Sequence, residues 1–89
     1  MSDELITRFN EAAERVRVLS KRPENDVLLR LYALYKQATE GDCHGEKPGM
    51  LDFKAKFKYE AWKMLAGTPP ESAMQNYIEL VDELAAADQ

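Results

Sequence analysis

Two segments of this sequence carry its clearest pattern, YALYKQATEGD at residues 32–42 and KPGMLDFKAKFKYEAW at residues 47–62. Each places tyrosine and lysine side by side where the apolar residues have helical spacing, and a loop rich in glycine separates the two. Ammonium groups, phenols and aromatic rings are the partners that a phosphorylated, ring-bearing small molecule requires. The pattern therefore predicts two amphipathic helices that share a binding surface.

Helical spacing of apolar residues occurs four times in the chain, and no alternating run is long enough to predict a strand. Counting outward from the two segments, we predict helices over about residues 3–19, 24–40, 53–66 and 68–87. The chain is therefore expected to be all-α, a four-helix bundle with one domain over residues 1–89.

The ends of the predicted helices carry their own signals. Ser2 and Asp52 are expected to cap the first and third helices, because their side chains can accept a free backbone N–H. Gly41 and Gly67 are expected to end the second and third helices, where a left-handed residue is common. TPPE at residues 68–71 is typical of a capping box with proline in the first turn of the fourth helix.

Composition excludes several classes of protein. The net charge of −4 argues against general nucleic-acid binding. No apolar run approaches the roughly 20 residues needed to cross a bilayer, and the first residues, MSDE, lack the features of a signal peptide. Cys43 is the only cysteine, which fits a reducing compartment. We expect a cytoplasmic monomer with no nucleic-acid partner and no stable membrane insertion.

The basic residues are unevenly distributed. No lysine or arginine follows Lys63, whereas four lysines crowd the segment 54–63. A local basic patch on an acidic protein indicates a compact anionic ligand rather than a polyanion.

The second predicted helix has more apolar surface than bundle packing needs. Its apolar and aromatic residues fill over half of the helix circumference, whereas a core-facing stripe needs little more than about 100°. Leu28, Tyr32 and Lys36 lie along one edge of this surface at i, i+4 and i+8. A lysine embedded in an apolar edge needs an anion nearby, or it must extend its ammonium to solvent.

The other three helices add cations and aromatic rings. In the third, Lys54 and Lys58 align at i, i+4, Trp62 is expected in the core, and the predicted core stripe contains Phe57, Ala61, Met64 and Leu65. The first aligns Phe9, Ala13 and Arg17 at i, i+4 and i+8, and the small Ala13 would allow a ligand to approach closely. In the fourth, Tyr77 lies at the border of the apolar stripe.

Spacing alone leaves alternatives open for these residues. Each tyrosine could be a core residue with its hydroxyl at the surface, and the lysines of the third helix could be a solvated face. Cys43 and His44 are adjacent, but one cysteine and one histidine fall short of a zinc ligand set, so we expect no metal site. No carboxylate pair stands out for acid–base chemistry, so no catalytic residue is predicted.

From about Leu5 to Leu84 the chain resembles the acyl-CoA-binding protein family. The resemblance is carried by the Tyr-x-x-Tyr-Lys-Gln-Ala-Thr pattern at residues 32–39 and by KPGMLDFK at residues 47–54. It implies an up-down-down-up bundle that binds medium- to long-chain fatty acyl-CoA thioesters as an intracellular carrier or buffer, without catalysis or cofactor. The alternative is a helical protein-interaction module whose basic groove receives an acidic amphipathic helix.

The resemblance also implies roles for individual residues. Those matching the nucleotide end of the family's ligand are Tyr32, Lys36, Lys58 and Tyr77, with Tyr35 and Lys54 in accessory positions and Arg17 where the family commonly has lysine. We place the acyl chain along the surplus apolar surface, near Phe9, Ala13, Leu28 and Leu29.

Overall fold

The computed structural model of the chain describes residues 2–88. It contains four helices, α1 (Asp3–Arg17), α2 (Asn25–Glu40), α3 (Phe53–Lys63) and α4 (Pro70–Ala87). Within the described range no residue is in a strand. The all-α four-helix bundle is confirmed.

Several of the expected helix ends are observed. The side chains of Ser2 and Asp52 each accept the backbone N–H three residues further on, at 3.1 Å and 3.2 Å. Gly41 and Gly67 have φ values of 77° and 88°. Residues with a Cβ rarely adopt such angles, so Gly41 lets the chain leave α2 sharply. Contrary to expectation, Gly67 does not end α3 but lies in the connection between α3 and α4.

Other predicted ends are wrong. The capping box at residues 68–71 does not form: α4 begins at Pro70, and no side chain caps it. Proline occupies both the cap and the first helical position, so Thr68 lies outside the first turn. Helix α1 ends at Arg17 and α3 at Lys63, two or three residues earlier than expected. After α3 the chain continues in tighter turns, with bonds from residue 65 to 62 and from 66 to 63.

Helices α1 and α4 run in the same direction. Near their middles the rings of Phe9 and Tyr77 meet with centroids 5.1 Å apart. Further along both helices, Arg15 Nη1 donates to Asp82 Oδ1 at 2.9 Å.

Helices α2 and α3 also run in the same direction. Lys58 Nζ lies 5.0 Å from the ring centroid of Tyr32, and one turn further along both helices Lys36 Nζ lies 4.9 Å from the ring of Trp62. Helix α2 runs opposite to α4, because its Tyr35 meets Tyr77 while its first turn lies beside the end of α4. The helices therefore follow the up-down-down-up order that the resemblance implies.

The core lies where α1 and α2 meet α4. Helix α1 packs against α4, and α2 packs against both α3 and α4. The buried cluster consists of Phe9, Ala12, Leu31, Leu34, Ala38, Ala73, Met74, Tyr77, Ile78 and Val81. Helix α3 contributes no residue to this cluster, which places it at the side of the bundle.

The predicted core stripe of α3 is wrong for two of its four residues. Phe57 and Met64 are 58% and 84% exposed, and Ala61 and Leu65 are half-buried. Trp62 is 5% exposed, as expected of a core residue. The physical reason is that α3 packs only against α2, so it has no second neighbour to cover a full apolar stripe.

A polar network joins the ends of α2 and α3. Gln37 is fully buried, and its Nε2 donates to Asp42 Oδ1 and to the carbonyl oxygen of Thr68, both at 2.8 Å. Asp42 Oδ1 also accepts the backbone N–H of Gly67 at 2.8 Å. Trp62 Nε1 donates to the carbonyl oxygen of residue 41 at 2.8 Å. These bonds fix the lateral position of α3, which apolar burial alone does not.

We expect Asp42→Ala to destabilise the fold more than Asp42→Asn, because an amide oxygen can still accept both bonds. The Gly67 N–H, followed by the Gln37 amide, lowers the pKa of Asp42 below its ordinary value. The carboxylate's contribution is therefore complete above the unfolded pKa of about 3.9 and is lost as the pH falls through the folded value. Urea unfolding at neutral pH and at about pH 3 measures both effects.

Glu46→Gln is the matched control, because it removes a negative charge from the same loop. Between neutral pH and about pH 3, Glu46→Gln should lose as much unfolding free energy as the wild type, whereas Asp42→Asn should lose less. If Asp42→Ala were as stable as the wild type at neutral pH, the network would not be what holds α3 in place.

Candidate functional site

A surface cavity of about 490 Å³ lies between the N-terminal halves of α2 and α3. Small-molecule sites in proteins commonly measure roughly 300–1,000 Å³. The lining residues are Arg22, Asn25, Leu28, Leu29, Tyr32, Lys54, Phe57 and Lys58. Five of them were predicted as site residues: Leu28, Leu29, Tyr32, Lys54 and Lys58.

One part of the cavity is cationic and aromatic. The Lys58 ammonium lies over the Tyr32 ring at 5.0 Å, within the range of a cation–π contact. Lys54 precedes Lys58 by one turn and is exposed. Arg22, in the loop before α2, also lines the cavity, and its Nη1 donates to Asn25 Oδ1 at 3.3 Å. Three cations therefore surround a space that contains no described carboxylate.

The remaining lining is apolar. Leu28 and Leu29 are half-buried on α2, and Phe57 faces them from α3 with 58% of its surface exposed. Covering an aromatic ring that is this open to water would contribute favourably to the free energy of ligand binding. The cavity thus offers both an anion-binding end and an apolar wall.

Lys36 lies outside the lining of this cavity. It follows Tyr32 by one turn of α2, and its ammonium is hydrogen-bonded to Glu40 Oε2 and lies 4.9 Å from the ring centroid of Trp62. The bond to Glu40 raises the pKa of Lys36 and lowers that of Glu40. The structure therefore places Lys36 beside the predicted site, with its charge already paired.

Tyr35 and Tyr77 belong to an aromatic cluster that is completed by Phe9. The ring of Phe9 stacks on Tyr35 at 5.3 Å and meets Tyr77 edge-on at 5.1 Å. Phe9 and Tyr77 are 2% and 4% exposed, whereas Tyr35 is 42% exposed. The cluster presents the ring of Tyr35 to solvent, one turn of α2 from the cavity.

Ala13 and Arg17, the other two predicted residues on α1, also lie outside the cavity lining. Ala13 is half-buried against the core. The side chain of Arg17 is 75% exposed, and its only described ionic neighbour is Glu14, at 3.8 Å. Arg17, Lys36, Tyr35, Tyr77, Phe9 and Ala13 lie outside the cavity lining, and the ligand roles of all the predicted residues, including the five in the lining, stay predictions.

Three lining residues were missed at the level of sequence: Arg22, Asn25 and Phe57. Two of them had a usable signal. Asn25 precedes Leu28 by three residues, and Phe57 follows Lys54 by three, so each shares a helix face with a predicted residue. Arg22 lies in the loop before α2, where periodicity gives no direction.

In residues 2–88, no three His, Cys, Asp or Glu side chains gather where they could hold a metal ion. None of the four helices has the length and apolar composition to cross a membrane.

An apolar wall with a few charged groups is the usual lining of a small-molecule site, and this cavity has both. Residues 7–81 match the family model described as acyl CoA binding protein. The chain belongs to this family.

Two relatives and one solved structure illustrate the match. The acyl-CoA-binding protein of Dictyostelium discoideum is 48% identical over 80 residues, covering 90% of this chain and 95% of the relative. Enoyl-CoA delta isomerase 2 of Rattus norvegicus is 51% identical over 81 residues, but the chain spans only 21% of its length. The crystal structure of acyl-CoA-binding protein 2 from Oryza sativa has a TM-score of 0.90 and 38% identity, covering 94% of this chain and 91% of that one.

We expect Tyr77→Phe to fold with near wild-type stability at neutral pH and to be less sensitive to alkali. Burial, followed by the neighbouring Tyr35, raises the pKa of Tyr77 above its ordinary value of 10.0. The unfolded chain therefore loses the Tyr77 proton at a lower pH than the folded chain. The contribution of Tyr77 to the free energy of unfolding is complete below pH 10 and is lost as the pH rises towards the folded pKa. Absorbance titration of the phenols should show a late-ionising tyrosine that the variant lacks. A variant that retains this late step would place it on another tyrosine.

Proposed function

We propose that this chain binds CoA thioesters of medium- to long-chain fatty acids and acts as their carrier and buffer inside the cell. The cavity between α2 and α3 is the observation that carries the proposal. Its lining combines Lys54, Lys58 and Arg22 with an apolar wall, which suits a ligand with an anionic head and an aliphatic tail. Membership of the acyl-CoA-binding protein family supports the same ligand.

The head of the ligand is assigned to the cationic part of the cavity. CoA carries roughly four negative charges at neutral pH if its phosphate monoester is counted as nearly doubly ionised. Lys54 and Lys58 can form charge-assisted hydrogen bonds to phosphate oxygens, and Arg22 can add a bidentate contact. The exposed ring of Tyr35 offers a stacking surface for the adenine.

The tail of the ligand is assigned to the apolar wall. Leu28, Leu29 and Phe57 line it, and each buried CH₂ group stabilises the complex by up to about 0.8 kcal/mol. Phe9 lies deeper, at 2% exposure. An acyl chain can reach Phe9 only if the side chains above it move, so the first contacts of the tail are with the two leucines.

Binding rather than catalysis is proposed. The match to the rat isomerase covers 21% of that protein, so its activity is not assigned to this chain. The proposal needs no metal or cofactor, and one copy of the chain supplies the whole site. No observation favours the alternative of a helical interaction module.

We expect Lys58→Gln to weaken binding of palmitoyl-CoA by roughly 1.5–3 kcal/mol, because a hydrogen bond to a charged group is lost. The control is Lys63→Gln, an exposed lysine of the same helix outside the cavity lining. It removes the same charge and should change the affinity by less than about 0.5 kcal/mol. Isothermal titration calorimetry measures both. Equal effects of the two substitutions would mean that the ligand senses only overall charge.

We also expect affinity to rise from octanoyl- to dodecanoyl- to palmitoyl-CoA and to level off when the apolar wall is covered. Each added CH₂ should contribute no more than about 0.8 kcal/mol. Free palmitate should bind far more weakly, because it lacks the phosphates that contact the lysines. Chain-length independence, or palmitate binding as tightly as palmitoyl-CoA, would contradict the assignment of the tail.

A further inference from the structure

Glu40 forms an ion pair with Lys36, a lysine that the anion-binding site could otherwise use. Its Oε2 accepts a hydrogen bond from Lys36 Nζ, and its Oε1 lies 3.5 Å from His44 Nε2. The same lysine lies against the Trp62 ring, and its side chain is only 24% exposed. The charge of Lys36 is therefore held between a carboxylate and an indole.

Helix stability does not explain a glutamate at this position. Glu40 is the last residue of α2, where a negative charge opposes the helix dipole, and the last turn of α2 contains no basic residue. Moreover, a Lys–Glu pair at i, i+4 in this order stabilises a helix less than the reverse order. A residue that breaks two local preferences at the edge of a site is a candidate for a functional role.

The position of Lys36 brings this pair to the ligand site. Lys36 follows Tyr32 by four residues, so the two side chains are neighbours on one face of α2. Tyr32 lines the cavity and carries the Lys58 ammonium over its ring. An anion bound to Lys58 beside Tyr32 would therefore lie near Lys36, and also near the Glu40 carboxylate.

We propose that Glu40 sets the affinity of the site by competing with the ligand's phosphates for Lys36. The inference rests on the proposed function. When a phosphate binds, Lys36 exchanges one anionic partner for another. Its contribution to the binding free energy is therefore smaller than that of an unpaired lysine. The Glu40 side chain is 40% exposed and has His44 beside it, so it can be solvated once Lys36 leaves.

The test compares Glu40→Gln with Glu46→Gln by calorimetric titration of palmitoyl-CoA at low ionic strength. Both variants remove one negative charge, but Glu46 is exposed and has no described ion pair. Glu40→Gln should bind about two- to fivefold more tightly than wild type, the range of a partly exposed ion pair. The affinity of Glu46→Gln should stay within about 1.5-fold of the wild type. This difference measures the effect of removing a negative charge that is not paired with Lys36. Glu40→Ala serves as a second variant with the same expected direction.

A double-mutant cycle assigns the effect to Lys36. In a Lys36→Met background, Glu40→Gln should tighten binding no more than Glu46→Gln does. The inference would be overturned if both Glu40 variants bound no more tightly than the wild type. It would also be overturned if Glu40→Gln increased the affinity as much in the Lys36→Met background as in the wild type. The outcomes separate the two proposals: a wild-type chain that binds no acyl-CoA ends both, whereas normal binding with no gain in the Glu40 variants ends this one alone.

Discussion

The placement of α3 against α2 is the constraint on which the rest of this structure depends. Helix α3 packs against no helix other than α2, so its position is fixed at one end by the bonds of Gln37, Asp42 and Trp62. Towards the opposite end, the side chains of Tyr32 and Lys58 line an open space instead of a packed core. A helix held at one end and open at the other produces a cavity without a gap in the main core.

Helix α2 serves two surfaces at once. Its buried face, with Leu31 and Leu34, joins the core against α4, while the edge through Leu28 and Tyr32 is left for the cavity. This division explains why the helix is apolar over more than half of its circumference. The apolar excess that bundle packing does not need is the wall available to a ligand.

Much of this could be predicted from the sequence. Four helical periods, two capping residues and Gly41 were sufficient for the bundle, and the i, i+4 edge of α2 led directly to two cavity-lining residues, Leu28 and Tyr32. Periodicity failed for Phe57 and Met64 because it assumes that an apolar stripe faces a core, and α3 has only one neighbour. The pairing of Lys36 with Glu40 depends on rotamers, which spacing does not specify. Arg22 was missed because its location depends on the path of a loop.

The central claim is that the cavity between α2 and α3 receives an acyl-CoA head and the first part of its tail. Mapping backbone amide NMR shifts during a titration with palmitoyl-CoA tests this claim most directly. We expect the largest changes at Leu28, Tyr32 and Lys58, on the two helices that line the cavity. Largest changes around Arg8, Arg15 and Asp82, where α1 and α4 form a separate cavity of about 230 Å³, would contradict it.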